Sequence, residues 1–271
     1  MKAIASRDNA AYKALARLAS SAAERRRQGY TVIEGAHLIE ACLDAGHPVA
    51  QLFLSRSAAA GGEADALVAR ARPAQALELA DALFDSVSGV ESPAGILAVV
   101  PTPAGRAVPP TARWCIALED IQDPGNVGTL LRSAAAAGAA HVLLSPTCAF
   151  AWSPKVLRAG QGAHFALNIV EGADLGAFAA AFAGTTVALC GEAEASLYDA
   201  DLRGPVAFLV GNEGAGLSPE LKNAAKLRVR IPMPGRAESL NAGVAGSIAL
   251  FEALRQRGVT RPKGRDTDEH G

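Results

Sequence analysis

The sequence predicts an α/β protein in two parts, a small α/β domain followed by a larger one built on a mostly parallel sheet. Three observations carry this. Short aliphatic runs alternate with helix-length segments along most of the chain, the pattern of strands joined by crossover helices. Pro101, Pro103, Pro109 and Pro110 fall within ten residues that also hold Gly105, which marks a semi-rigid connection. At 271 residues the chain is long for one average domain and comfortable for two. The expected division is an N-terminal domain over 1–104, a linker over 105–112, a second domain over 113–258 and a tail over 259–271.

Residues 8–27 read as one helix, with Leu15 and Leu18 on an alanine-rich face and Lys13, Arg17, Arg25, Arg26 and Arg27 on polar positions. An apolar run at 30–33 is followed by a helix over about 36–45, a strand over 50–54, helices near 63–71 and 76–87, and a strand over 96–100. Past the prolines, strands are expected at 114–119, 141–145, 166–170, 185–190, 205–211 and 227–231, with helices starting near 126, 153, 174, 218 and 239. The last dozen residues, rich in Lys, Arg, Asp, Gly and Pro, read as disordered.

Half the residues are hydrophobic and a fifth charged, an ordinary soluble composition. The net charge of −1 excludes a polycation that coats nucleic acid by bulk charge. That total averages over opposed blocks, +5 over residues 1–27, −6 over 28–100 and +6 over 228–265. Arg25, Arg26 and Arg27 read either as a solvated helix end or as RNA phosphate contacts. Cys42, Cys115, Cys148 and Cys190 are widely spaced, with no Cys-x-x-Cys pair, which argues against a zinc site or a disulfide framework. His37, His47, His141 and His164 form no metal-ligand spacing. With no secretory signal and no apolar run of membrane length, a cytoplasmic, metal-free protein is expected.

In an open parallel sheet ligands bind beyond the carboxyl ends of the strands, so the loops after strands are the place to look for chemistry. In the first, Glu119 to Arg132, Asp123-Pro124-Gly125 makes a turn, Asn126 can cap the helix, and Gly128 sits four residues before Arg132. A glycine in a first helical turn suggests close approach of another group to that face, leaving Arg132 over an open surface. The second, Phe208 to Glu220, ends a strand in a three-glycine loop, and Ser218-Pro219-Glu220 then opens a helix, so Ser218 is a cap and not a nucleophile. Its G-x-x-G-x-G order reverses the dinucleotide fingerprint, and Glu213 lies where a pyrophosphate would arrive, leaving NAD binding a weak alternative. In the third, Arg228 to Asn241, a strand breaks at Pro232 and a helix begins at Ser239 or Asn241.

These segments, in this order, resemble the three motifs of the SpoU or TrmH family of RNA ribose 2'-O-methyltransferases, within the SPOUT superfamily. Asn126-x-Gly128-x-x-x-Arg132 is similar to the first motif, Leu209-Val210-Gly211-x-Glu213-x-x-Gly216-Leu217-Ser218 to the second, and Ile231-Pro232-Met233 through Ser239-Leu240-Asn241 to the third. The match covers roughly residues 113–257. Residues 30–100, with Glu34-Gly35-x-His37 and Pro93-x-Gly95-Ile96, resemble the ribosomal-protein-like substrate-binding domain often fused in front.

The resemblance implies a C-terminal trefoil knot, which general rules of chain topology would exclude. It also implies a homodimer formed through the knot region and S-adenosylmethionine held by the two knot loops. Position by position it gives Leu209, Gly211, Ile231, Met233, Ser239 and Leu240 as cofactor contacts and Arg132, Asn126, Glu213 and Asn241 as the catalytic group. Arg25, Arg26, Arg27, His37 and Arg158 are the expected RNA contacts. Arginine stays protonated in proteins, so Arg132 is better suited to a fork that holds phosphate and stabilises the developing oxyanion than to a general base. The substrate expected is ribosomal RNA, with transfer RNA or a non-catalytic RNA-binding role as alternatives. Two departures stand out. Ala242-Gly243 follows Ser239-Leu240-Asn241 where the family commonly has Val-Ser, and Arg158-Ala159-Gly160-Gln161-Gly162 replaces Arg-x-Ser-x-Gly.

Overall fold

The chain folds around two sheets, and the computed structural model describes residues 1–258. The expected tail over 259–271 lies outside the described residues. The first half runs β1 (Lys2–Ile4), α1 (Ala10–Ser20), α2 (Ala22–Gln28), β2 (Tyr30–Glu34), α3 (Ala36–Asp44), β3 (Gln51–Ser55), α4 (Arg56–Ala59), α5 (Gly62–Ala71), β4 (Gln75–Leu79), α6 (Asp81–Asp85) and β5 (Ile96–Pro101), and its five strands form the first sheet. Its order is β1-β4-β3-β5-β2, with β5 antiparallel to both neighbours and the other pairings parallel.

Two of the expected helices come out differently, and β1 and α4 are elements the sequence did not announce. The single helix over 8–27 is two helices, because the Ser21 hydroxyl accepts the Glu24 amide at 3.2 Å while Ser21 itself is extended. Ser21-x-x-Glu24 has the spacing of a capping box, and that local signal overrides the continuing helical period. The helix expected over 76–87 is strand β4 followed by the short α6. Leu77 and Leu79 are buried on alternate positions between more exposed neighbours, a period of two hidden among good helix formers. The pairing of β4 with β3 and β1 decides the outcome, as tertiary context routinely does.

The second sheet is built from β6 (Trp114–Leu118), α7 (Pro124–Ala137), β7 (His141–Leu144), α8 (Pro154–Gly160), β8 (Asn168–Val170), α9 (Leu175–Ala181), β9 (Thr185–Leu189), β10 (Val206–Val210), α10 (Pro219–Ala224), β11 (Leu227–Val229) and α11 (Ala242–Arg257). The order is β11-β9-β10-β6-β7-β8 and every pairing is parallel, so all carboxyl ends lie along one edge. The central strands β6 and β10 are buried at every position, as a sheet covered on both faces requires.

One apolar cluster runs through both sheets, joining Ile33, Leu38 and Leu54 to Trp152, Leu157, Phe165 and Ile116. At this seam the Thr31 hydroxyl donates to the Trp152 carbonyl at 2.9 Å. The proline-rich connection is docked along β8, where Asn168 accepts the Arg106 amide at 2.8 Å and donates to the Arg106 carbonyl at 2.9 Å. His164 sits beneath the seam, 1% exposed, with its ring 5.2 Å from that of Trp152. A Cβ at Gly160 would stand 2.5 Å from His164 Cε1, so the imidazole occupies the room a serine side chain would need.

Candidate active site

The loops after β6, β9, β10 and β11 converge at the common carboxyl edge of the second sheet. Between the last three lies a cavity of roughly 280 Å³. Gly211, Ile231, Met233, Ser239 and Leu240, five of the six positions the resemblance gives, line it together. Leu209 does not. It is fully buried in β10 and packs with Cys115, Ala188 and Leu217, one residue short of the loop, while its neighbour Val210 reaches the cavity wall.

The glycines around the site make room for the protein's own chain. A Cβ on Gly211 would collide with the backbone of Gly216 and Leu217, so this glycine lets the loop close on itself. Gly216, at φ +68°, completes that turn, and the Asn212 side chain accepts the amides of Gly214 and Ala215. Gly128 makes room for α8, because a Cβ there would meet the Ala159 methyl and stand 2.8 Å from the Val156 carbonyl. The surface beside it is therefore filled by a packed helix and is not open to a ligand.

Tie points hold the first loop to the second. Glu119 accepts both the amide and the hydroxyl of Ser218 at 2.7 Å, and Asn212 donates to the Asp120 carbonyl at 2.8 Å. Ser218 also caps α10, as expected. The cap of α7 is Asp123 rather than Asn126, its carboxylate accepting the Asn126 amide at 2.8 Å. Asn126 is thereby freed to act through its side chain, which is 8% exposed and donates to Glu213. Asn241 caps α11 by accepting the Val244 amide at 3.2 Å. A Cβ on Gly243 would stand 3.1 Å from Asn241 Oδ1 and 3.2 Å from Asn126 Oδ1, which places both amide oxygens around the missing hydroxyl. Arg132 is exposed one turn beyond Thr129 on α7, and Thr129 itself faces Gly243. Among the described residues Arg132 forms no ion pair or hydrogen bond, which leaves its fork free for a ligand.

The sequence reading missed one wall of the cavity. Leu189, Cys190, Gly191 and Glu192 line it from the end of β9, and Lys222 reaches in from α10 to pair with Glu192 at 2.5 Å. Lys222 holds the Glu192 carboxyl below its usual range, and burial pushes the Cys190 thiol up. The edge rule for parallel sheets points at the loop after every strand, and this loop was passed over because it has no multiple-glycine signature.

The expected RNA contacts divide. Arg25 is not the solvated phosphate contact expected: it is 4% exposed, and its Nη1 donates to the Leu18 and Ala19 carbonyls, closing the end of α1 from within. Arg27 is exposed and forked onto Glu24. Arg26 is exposed and stacks 4.1 Å above the Phe150 ring. His37 is exposed on the first turn of α3. Arg158 is half-buried and lines a cleft at the seam with Glu34 and Ser88, away from the cofactor-sized cavity. Among the described residues no group of three or more His, Cys, Asp or Glu side chains is placed to hold a metal, and no helix is long and apolar enough to cross a membrane.

Comparison with known proteins places this geometry. A model described as the SpoU rRNA Methylase family matches residues 113–251, and one described as an MRM3-like substrate binding domain matches residues 9–98. The 23S rRNA (guanosine(2553)-2'-O)-methyltransferase RlmP of Bacillus subtilis is 31% identical over 231 residues, 84% of this chain and 90% of its own. The 23S rRNA (uridine(2479)-2'-O)-methyltransferase of Streptomyces viridochromogenes is 32% identical over 260 residues, 92% of this chain and 91% of its own. The AdoMet-bound rRNA methyltransferase structure from Sinorhizobium meliloti aligns with a TM-score of 0.83 at 30% identity, covering 94% of this chain and 97% of that one. Matched by the family model over half its length and by such relatives over most of it, the chain belongs to the SpoU rRNA methylase family.

Proposed function

We propose that the chain is an S-adenosylmethionine-dependent ribose 2'-O-methyltransferase acting on ribosomal RNA. The observation that carries the reading is the single cavity lined by the second- and third-motif loops, with the Asn126–Glu213 pair at its edge. Its walls suit the cofactor. Leu189, Val210, Ile231, Met233 and Leu240 offer apolar surface to an adenine, and the loop backbones offer amides and carbonyls to its edge. The sulfonium of the bound cofactor supplies an electrophilic methyl group. The protein's part is alignment and charge. Asn126, held by Glu213, orients the nucleotide at the cavity mouth. Arg132 binds the adjacent phosphate and stabilises the charge developing on the ribose oxygen, as a planar fork of donors is suited to do.

Support for ribosomal over transfer RNA comes from the full-length relatives, whose names specify 23S rRNA. The chain acts as a homodimer in the cytoplasm. Support for the dimer comes from Val244 and Phe251, 45% and 47% exposed on one stripe of α11 with Ile248. The knot implied by the motifs is supported by the return path of α11. From the edge strand β11 the chain crosses back to pack Gly246 against Leu130, Val210 and Ile116.

The test is methyl transfer from radiolabelled S-adenosylmethionine to deproteinised 23S rRNA, followed by mapping of the 2'-O-methyl position. A protein that binds the cofactor and leaves every RNA unmethylated defeats the enzymatic reading.

A further inference from the structure

A second cavity, of roughly 320 Å³, lies at the seam of the two sheets, where Arg25 and Arg26 at the end of α2 meet Thr102, Phe150, Trp152 and Glu171. Its lining is chemically unusual. The Arg25 guanidinium is buried without a carboxylate partner, and its Nε finds no acceptor among the described residues; neither does the buried hydroxyl of Thr102. A desolvated charged donor left short of an acceptor is costly in isolation and favourable once an oxygen or ring nitrogen meets it. Across the cavity, Glu171 spends one carboxylate oxygen on the Ala151 amide at 2.9 Å. The exposed guanidinium of Arg26 sits over the Phe150 ring, its central carbon 4.1 Å from the ring centre, and offers a plane on which a base can stack.

Donor, acceptor and stacking plane together describe a nucleobase, and we propose that this cavity takes an unpaired guanine of the substrate RNA. A phosphate fits less well. Glu171 would repel it, and Nη1 of Arg25 is already committed to the Leu18 and Ala19 carbonyls. Guanine alone among the four bases gives a carboxylate two adjacent N–H groups while offering O6 and N7 to a guanidinium, the commonest specific arginine contact. The placement suits one RNA strand. Phe150 follows β7 and Glu171 follows β8, so the cavity opens on the carboxyl edge that carries the methyl-transfer site. It lies three strands from β10, the nearest strand of the cofactor cavity, or about 14 Å at the usual spacing. A base splayed out at this distance would fix the register of the strand whose ribose is presented to Arg132.

The proposal rests on the reading of the chain as an RNA methyltransferase, and the test separates the two. In the full-length protein, Arg26→Gln removes the stacking plane at an exposed position, and Glu171→Gln keeps the shape of the side chain while removing its charge. Each variant is expected to raise KM for 23S rRNA about tenfold, with kcat and S-adenosylmethionine affinity unchanged. Ultraviolet crosslinking of the wild-type complex is expected to leave a guanosine adduct on the peptide carrying Phe150 and Trp152. A wild-type enzyme that methylates rRNA while both variants keep its KM overturns the proposal, as does an adduct of another nucleotide on that peptide. The crosslink reads RNA contact without turnover. If methylation fails, a guanosine adduct still supports the site, and its absence overturns it.

Discussion

Replacing His164 with Leu gives a quantitative test of how the seam is built. His164 is 1% exposed, its ring tilted against that of Trp152, and its Nε2 donates to the Ala151 carbonyl at 2.9 Å while Nδ1 has no partner among the described residues. Burial holds the imidazole neutral and brings its pKa from 6.5 down to about 4. An unfolded chain binds the proton near pH 6.5, so between pH 6.5 and 4 the unfolded state carries more protons than the native one. Stability from this group is therefore complete above pH 6.5 and declines as the solution is acidified. The loss approaches about 1.4 kcal/mol per pH unit, reaching about 2 kcal/mol at pH 5 and about 3 kcal/mol below pH 4. Other titrations are common to both proteins and cancel in the difference. Urea unfolding of wild type and His164→Leu between pH 4 and 8 should show a stability difference that is flat above pH 6.5 and shifts against the wild type below it. Parallel curves across this range would show that the imidazole is hydrated or protonated in the native state, and would refute the buried, neutral assignment.

Three further outcomes follow from the site. Arg132→Lys keeps the charge and loses the fork, so turnover should fall by about 10² or more while calorimetric S-adenosylmethionine affinity is retained; near-normal turnover would end the role given to the guanidinium. Gly211→Ala drives a methyl into the Gly216–Leu217 backbone, a strain of about 2 kcal/mol that should weaken cofactor binding roughly thirtyfold, with little change in circular dichroism. Asn126→Asp sets a second carboxyl against Glu213, so activity should drop about tenfold at pH 7.5 and recover partly on acidification, as one proton is shared between the two; a flat pH ratio to wild type would count against direct contact between them.

The parallel second sheet was legible because its strands are apolar at nearly every position and its loops carry turn chemistry. Asp123-Pro124-Gly125, Ser218-Pro219 and Asn241 each mark a helix start. Strand β4, inside the first sheet, was harder to read. The run Gln75–Leu79 is composed of residues that favour helices, and only partners distant in the chain make it a strand. At the site, motif spacing brought Gly211, Ile231, Met233, Ser239 and Leu240 to one cavity, but spacing does not say which face of a buried strand looks outward, and Leu209 turns into the core. Arg25 shows the same limit. Three successive arginines at a helix end look alike in sequence, yet the helix turn puts one into the protein, one onto Phe150 and one onto Glu24. Gly128 in a first helical turn signalled a close approach, and spacing alone could not say that the approaching group is α8; Gly211 makes room for the backbone of its own loop.

The apolar layer that passes unbroken from Ile33 and Leu38 to Trp152 and Leu157, with Thr31 bonded across it, fastens the two sheets to one another. The molecule is then a caliper with a fixed gap: whatever the first half grips, the methyl group is delivered at one set distance and bearing from it. Selection among the many riboses of a folded RNA becomes a matter of measurement. A substitution that thickens the seam by one methylene should move the modified position, or abolish modification, without touching a residue of the site.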